Sequence, residues 1–142
     1  MKKVILMIIS AGLLLSAPVA YGQAVTEGER NVYYELVDKN SSLSQDSSEE
    51  DYDRVAREVA EENGLTFAEI EGIVDRVWEQ DLTKREGQIV LELWGRFHAL
   101  GESGNDTETN ISMVYKEVAA EYGVSIYVLY DMEVRAEEEW IW

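Results

Sequence analysis

Apolar residues recur at helical spacing from residue 26 onward. Ile89, Val90, Leu93, Trp94, Phe97 and Leu100 form an i, i+3, i+4 stripe, and Val32, Tyr33, Leu36 and Val37 form a weaker counterpart. Val55, Val59 and Ala60, like Val114, Val118 and Ala119, mark the inward face of a further helix. A third pattern buries Phe67, Ile70, Ile73, Val74, Val77 and Trp78, and later Ile126, Leu129, Tyr130 and Val134. Start signals agree with these stripes. Thr26-x-x-Glu29, Thr66-x-x-Glu69 and Thr83-x-x-Glu86 are capping boxes, in which side chains satisfy backbone N–H groups that a helix start leaves free. Ser125 is a fourth cap. Gly64 and Gly123 can take the left-handed conformation that ends a helix, and Gly101 is the expected stop for the long central one. Six helices are predicted, over about 26–39, 49–62, 66–80, 83–100, 111–122 and 125–142. Polar loops over 40–48 and 101–110 separate the first helix of each half from the second.

The two halves match. Val55–Gly64 and Val114–Gly123 are identical at six of ten positions, at an offset of 59. Thr26, Glu29, Val32, Glu35 and Leu36 match Thr83, Glu86, Ile89, Glu92 and Leu93 at an offset of 57. The two-residue difference falls in the loops, where insertions are tolerated. The expected fold is therefore all-α. Two tandem three-helix units, 23–80 and 81–142, pack as a small bundle behind an N-terminal segment, 1–22.

That segment reads as a secretory signal peptide. Lys2 and Lys3 precede an apolar run from Val4 to Leu15, and small residues follow to Gly22. Cleavage is expected after Gly22 or after Ala24. The apolar run is shorter than the ~20 residues needed to span a bilayer, so no membrane span is expected after cleavage. The chain is then exported, to the periplasm or the extracellular space. It has no cysteine, so a packed core rather than disulfides must hold it.

At this point the turns invite comparison with a known motif. Ala60-x3-Gly64-x-Thr66-x3-Ile70 and Ala119-x3-Gly123-x-Ser125-x3-Leu129 resemble the helix-turn-helix family of tri-helical DNA-binding units. The resemblance implies two helices set at a steep angle, the second entering the major groove in DNA-binding members. Here the second helix carries Glu69, Glu71, Asp75 and Arg76, or Asp131, Glu133, Arg135 and Glu137 to Glu139. Both are net acidic. The whole chain has 12 Lys+Arg against 29 Asp+Glu, a net charge of -17, and loss of Lys2 and Lys3 would take it to -19. Phosphate neutralisation dominates nucleic-acid affinity, so no nucleic-acid partner is expected.

Few residues could carry catalysis. His98 is the only histidine, and without triad or zinc partners it reads as an exposed residue near a helix C-terminus. Glu49-Glu50-Asp51 with Asp53, and Glu137-Glu138-Glu139, read as solvated faces, with weak divalent-cation binding as the functional alternative. No catalytic, cofactor or metal residue is assigned, and the chain is expected not to be an enzyme. Trp78, Trp94 and Phe97 lie on apolar stripes and are expected in the core. Trp140 and Trp142 either staple the last helix inward or form an exposed aromatic anchor. The candidate binding residues are Trp140, Trp142, Tyr127 and Trp94, toward a protein partner. The expected function is a small exported acidic, non-enzymatic binding module. The alternatives are a carboxylate-based hydrolase and a membrane-anchored helix-turn-helix protein contacting DNA.

Overall fold

A computed structural model describes residues 24–140. The expected signal peptide and Trp142 lie outside them. The described residues form six helices and no strand: α1 (Glu27–Asn40), α2 (Glu49–Glu62), α3 (Phe67–Glu79), α4 (Lys84–Glu102), α5 (Glu108–Tyr122) and α6 (Ile126–Trp140). They divide into two units, one ending at Asp81 and the other beginning at Leu82.

In the first unit α1, α2 and α3 close around Tyr33, Leu36, Val59, Ile70, Ile73 and Val77, all buried. Burial of such side chains is worth roughly 1.5–3 kcal/mol each before conformational entropy is counted. Phe67 and Trp78, expected inside, are only half-buried. Phe67 sits at the first turn of α3, where the Arg57 guanidinium lies 4.3 Å above its ring. Ser48 and Thr66 form full capping boxes with Asp51 and Glu69. Thr26 accepts from the Glu29 N–H, but the Glu29 carboxylate turns away to Arg76 instead of closing a box.

In the second unit the buried set is Ile89, Val90, Leu93, Val118, Leu129 and Met132, with Val114, Ala119, Val128 and Ala136. Two expected boundaries move. The N-cap of α5 is Thr107, so that helix starts at Glu108 rather than near residue 111. α4 continues through Gly101 and ends at Glu102, and Gly104, at φ +70°, makes the left-handed turn. The Asn105 N–H bonds to the Leu100 carbonyl across this turn. Gly64 and Gly123, at φ +67° and +66°, turn in the same way, with Leu65 N–H to the Ala60 carbonyl and Val124 N–H to the Ala119 carbonyl.

The inward face of α6 departs further from expectation. Ile126, Tyr130 and Val134 are half-buried, as are Trp94, Phe97 and Leu100 on α4. Asp131 and Arg135, which the acidic-face reading placed outside, are buried. Arg135 donates from Nε to Asp131 at 3.0 Å and from Nη2 to Glu86 at 2.8 Å. Glu86 also closes the Thr83 capping box, so one buried carboxylate caps α4 and ties it to α6.

The polar pairing in the two units follows the same sequence offsets. Arg76 pairs with Glu29 in the first, and Arg135 with Glu86 in the second. Lys39 reaches Glu35, Glu58 and Glu62 between α1 and α2; Arg96 reaches Glu92, Glu117 and Glu121 between α4 and α5. Each of these residues matches its counterpart at 57 or 59 positions. The exposed Lys39 and Arg96 pairs contribute little individually, but they fix the register of one helix on its neighbour.

Candidate functional site

Because the two units pair alike, positions where they differ in kind are informative. Val37, Ala56 and Val74 are buried apolar residues of the first unit. At the matching offsets the second unit has Trp94, Tyr115 and Glu133. A three-helix scaffold that packs with two valines and an alanine does not need this polar, aromatic set. The Glu133 carboxylate, on α6, accepts from Trp94 Nε1 on α4 at 3.1 Å and from the Tyr115 hydroxyl on α5 at 2.5 Å. One side chain thus joins all three helices. Carboxylate acceptors make hydrogen bonds stronger than neutral ones.

Further rings extend the cluster. Tyr115 meets Phe97 at 5.1 Å and Tyr130 at 4.6 Å between ring centroids, both edge-on. Burial, then the bond to Glu133, holds the Tyr115 hydroxyl well above the usual tyrosine range, because both favour its neutral form. Burial likewise raises Tyr130, with Glu133 adding to it. The Trp140 indole meets Trp94 edge-on at 5.5 Å. It also lies over Gly87, where an added Cβ would stand 3.7 Å from the indole ring. Gly87 therefore gives the ring a bare stretch of α4 to rest on.

Of the four candidate binding residues, two come together: Trp94 and Trp140. Trp140 is stapled to α4 on one side and is 40% exposed. Tyr127 is exposed, one helical turn before Tyr130. Trp142 lies outside the described residues. Sequence reasoning missed Tyr115, Tyr130 and Glu133. A usable signal was present: the offsets that align the halves also align Glu133 with an apolar position.

The other candidate chemistry falls away from this cluster. His98 is well exposed, with Nε2 3.4 Å from Glu102 one turn on. Among the described residues no group of three His, Asp or Glu side chains is arranged to hold a metal ion. Asp51, in the densest acidic run, has its carboxyl held below its usual range by the Ser48 N–H and hydroxyl, then by Arg54. No described helix is long and apolar enough to cross a membrane. Comparison with known proteins finds no match: no family model, no curated relative and no solved structure.

Proposed function

We propose that the chain is a small exported acidic protein that binds a protein partner through its second unit and catalyses no reaction. It acts in the periplasm or outside the cell, and its two units derive from one duplicated three-helix ancestor. The observation that carries this reading is the location of exposed apolar surface. Leu91, Met113, Tyr127 and Trp140 are the large hydrophobic side chains exposed among the described residues, and all four belong to the second unit. Contiguous exposed apolar surface marks interaction sites, and within this unit Leu91 and Trp140 share one face. The Trp94–Tyr115–Glu133 substitution of an otherwise shared core lies in the same unit.

The committed state of the carboxylates weighs against a hydrolase. Glu86 and Asp131 share Arg135, and Glu133 is bonded to Trp94 and Tyr115. Weighing against DNA contact, the arginines of the two helices after the turns, Arg76 and Arg135, are turned inward onto Glu29 and Glu86. The test is a photo-crosslinker placed at Leu91 of the native exported protein, with Ala68 of the first unit as control. A discrete adduct at Leu91 alone is expected. Adducts of equal yield from both positions, or none, would overturn the reading. Mass spectrometry of the N-terminus tests export, with a new N-terminus at Gln23 or Val25 expected.

A further inference from the structure

The exposed face of the second unit has a definite composition. By helical spacing Gly87, Leu91 and Trp94 share one stripe of α4, and Glu133, Glu137 and Trp140 share one stripe of α6. The Trp140 contacts to Gly87 and Trp94 bring these stripes into one seam. Leu91 stands between the two α4 residues that Trp140 touches, and it is 59% exposed. The apolar strip is therefore continuous across the seam and open to solvent. Carboxylates border it along α6. Glu137 lies on the stripe; Glu133, also on it, is held by Trp94 and Tyr115, and Glu139, beside Trp140, accepts from the Leu82 N–H. Lys84 and Arg85 stand at the N-terminal end of α4, with Arg85 donating to the Tyr122 carbonyl, and Arg96 is engaged by Glu92, Glu117 and Glu121. The unit as a whole holds five Lys or Arg against twelve Asp or Glu.

We infer that this seam docks a cationic amphipathic segment of a partner protein. Its apolar side chains cover Leu91 and the Trp140 face, and its lysines or arginines meet the net-acidic surface of the unit and the open face of the indole. The inference rests on the binding reading above and specifies its partner. Charge complementarity selects this occupant. A second copy of the chain would bring a like-charged surface against the seam, and an anionic lipid surface would do the same. The indole offers a cation its negative face, and the neighbouring carboxylates add to that attraction. Docking of an amphipathic helix into an apolar groove is an established mode of peptide recognition.

The test uses the full-length exported protein and a synthetic lysine–leucine amphipathic helical peptide, with two controls: the same peptide with glutamine, and with glutamate, for each lysine. Binding is read by tryptophan fluorescence and calorimetry at two salt concentrations. The lysine peptide is expected to bind, and to weaken as salt rises. Leu91→Ser, at an exposed position that leaves folding intact, is expected to weaken it by roughly tenfold, and Trp140→Ala by at least as much. Equal binding of the glutamine peptide, still lost in Leu91→Ser, would overturn the cationic assignment while leaving the binding surface in place. Lysine-peptide binding indifferent to both substitutions would overturn the seam. Self-association abolished by Leu91→Ser would replace the partner with a second copy.

Discussion

Arg135 and Arg76 occupy matching places, but only one is fully satisfied. Arg135 has Glu86 on Nη2 and Asp131 on Nε. Arg76 has Glu29 on Nη2, while its buried Nε has no hydrogen-bond partner. The residue matching Asp131 is Gly72. A Cβ built there meets only Arg76 Nη1, at 4.0 Å, an ordinary contact, and its φ is helical. Gly72→Asp should therefore give the first unit the ion triad of the second. Satisfying a buried donor contributes about 1–3 kcal/mol. Replacing glycine inside a helix adds a few tenths, since aspartate is itself a modest helix former (~0.3 kcal/mol). Burying a carboxylate, close to Glu71 and Asp75, subtracts roughly 1–2 kcal/mol. The expected net gain is about 1 kcal/mol. The decisive quantity is the coupling between positions 72 and 76, measured in a double-mutant cycle with Arg76→Met by urea unfolding. It is expected to be about 1–3 kcal/mol favourable. Gly72→Ala controls for propensity and should show no coupling. A coupling of zero, with Gly72→Asp equally destabilising in both backgrounds, would refute the claim that the unpaired Nε is a real deficit.

Further outcomes follow from the same interactions and from the net charge. Tyr115→Phe removes the hydroxyl that holds Glu133 and should destabilise the second unit by roughly 1–2 kcal/mol in urea melts. In ultraviolet titration, one tyrosine absent from that variant should stay protonated beyond the ordinary range near ~10, and stability should fall as pH rises past that value because only the unfolded chain then releases the proton. Burial first, then neighbouring carboxylates, raises Glu71 and Asp75, so the folded first unit holds these protons more tightly than the unfolded chain. Thermal stability should thus increase as pH falls through their raised range to the ordinary carboxylate values of ~4, and the gain should shrink in Glu71→Gln with Asp75→Asn. Below the ordinary carboxylate range the trend should reverse, because Asp51 and Glu62 are held low by their partners and lose those partners on protonation. Finally, a chain at -17 repels itself, so modest salt should raise its melting temperature; identical melts at low and moderate salt would show that the charges lie too far apart to matter.

Local chemistry was enough to place the helices. A threonine or serine that can accept from an N–H three residues on, an apolar stripe at helical period and a glycine able to turn left-handed all act within a few residues. They act alike in any context, and Thr66, Thr83, Gly64 and Gly123 do what their neighbourhoods require. Where two local solutions were available, packing chose between them. Gly101 and Gly104 can both end α4, and the chain continues through the first and turns at the second. Glu29 and Glu86 are equivalent in sequence, yet Glu86 caps its own helix and Glu29 does not.

The candidate site lay beyond local reach. Asp131, Glu133 and Arg135 read as solvated charges because each is polar and stands among other polar residues. Arg135 is buried against Glu86, 49 residues away, and carries its i,i+4 partner Asp131 in with it; Glu133 is held by Trp94 and Tyr115, 39 and 18 residues away. A charge becomes affordable inside only when a partner from another helix arrives to compensate it, and that arrival is a property of the folded unit. Helical period showed that 126–140 would be a helix but pointed Ile126, Tyr130 and Val134 inward; the tertiary structure turned α6 so that Val128, Met132 and Ala136 are buried instead, with Asp131 and Arg135 among them.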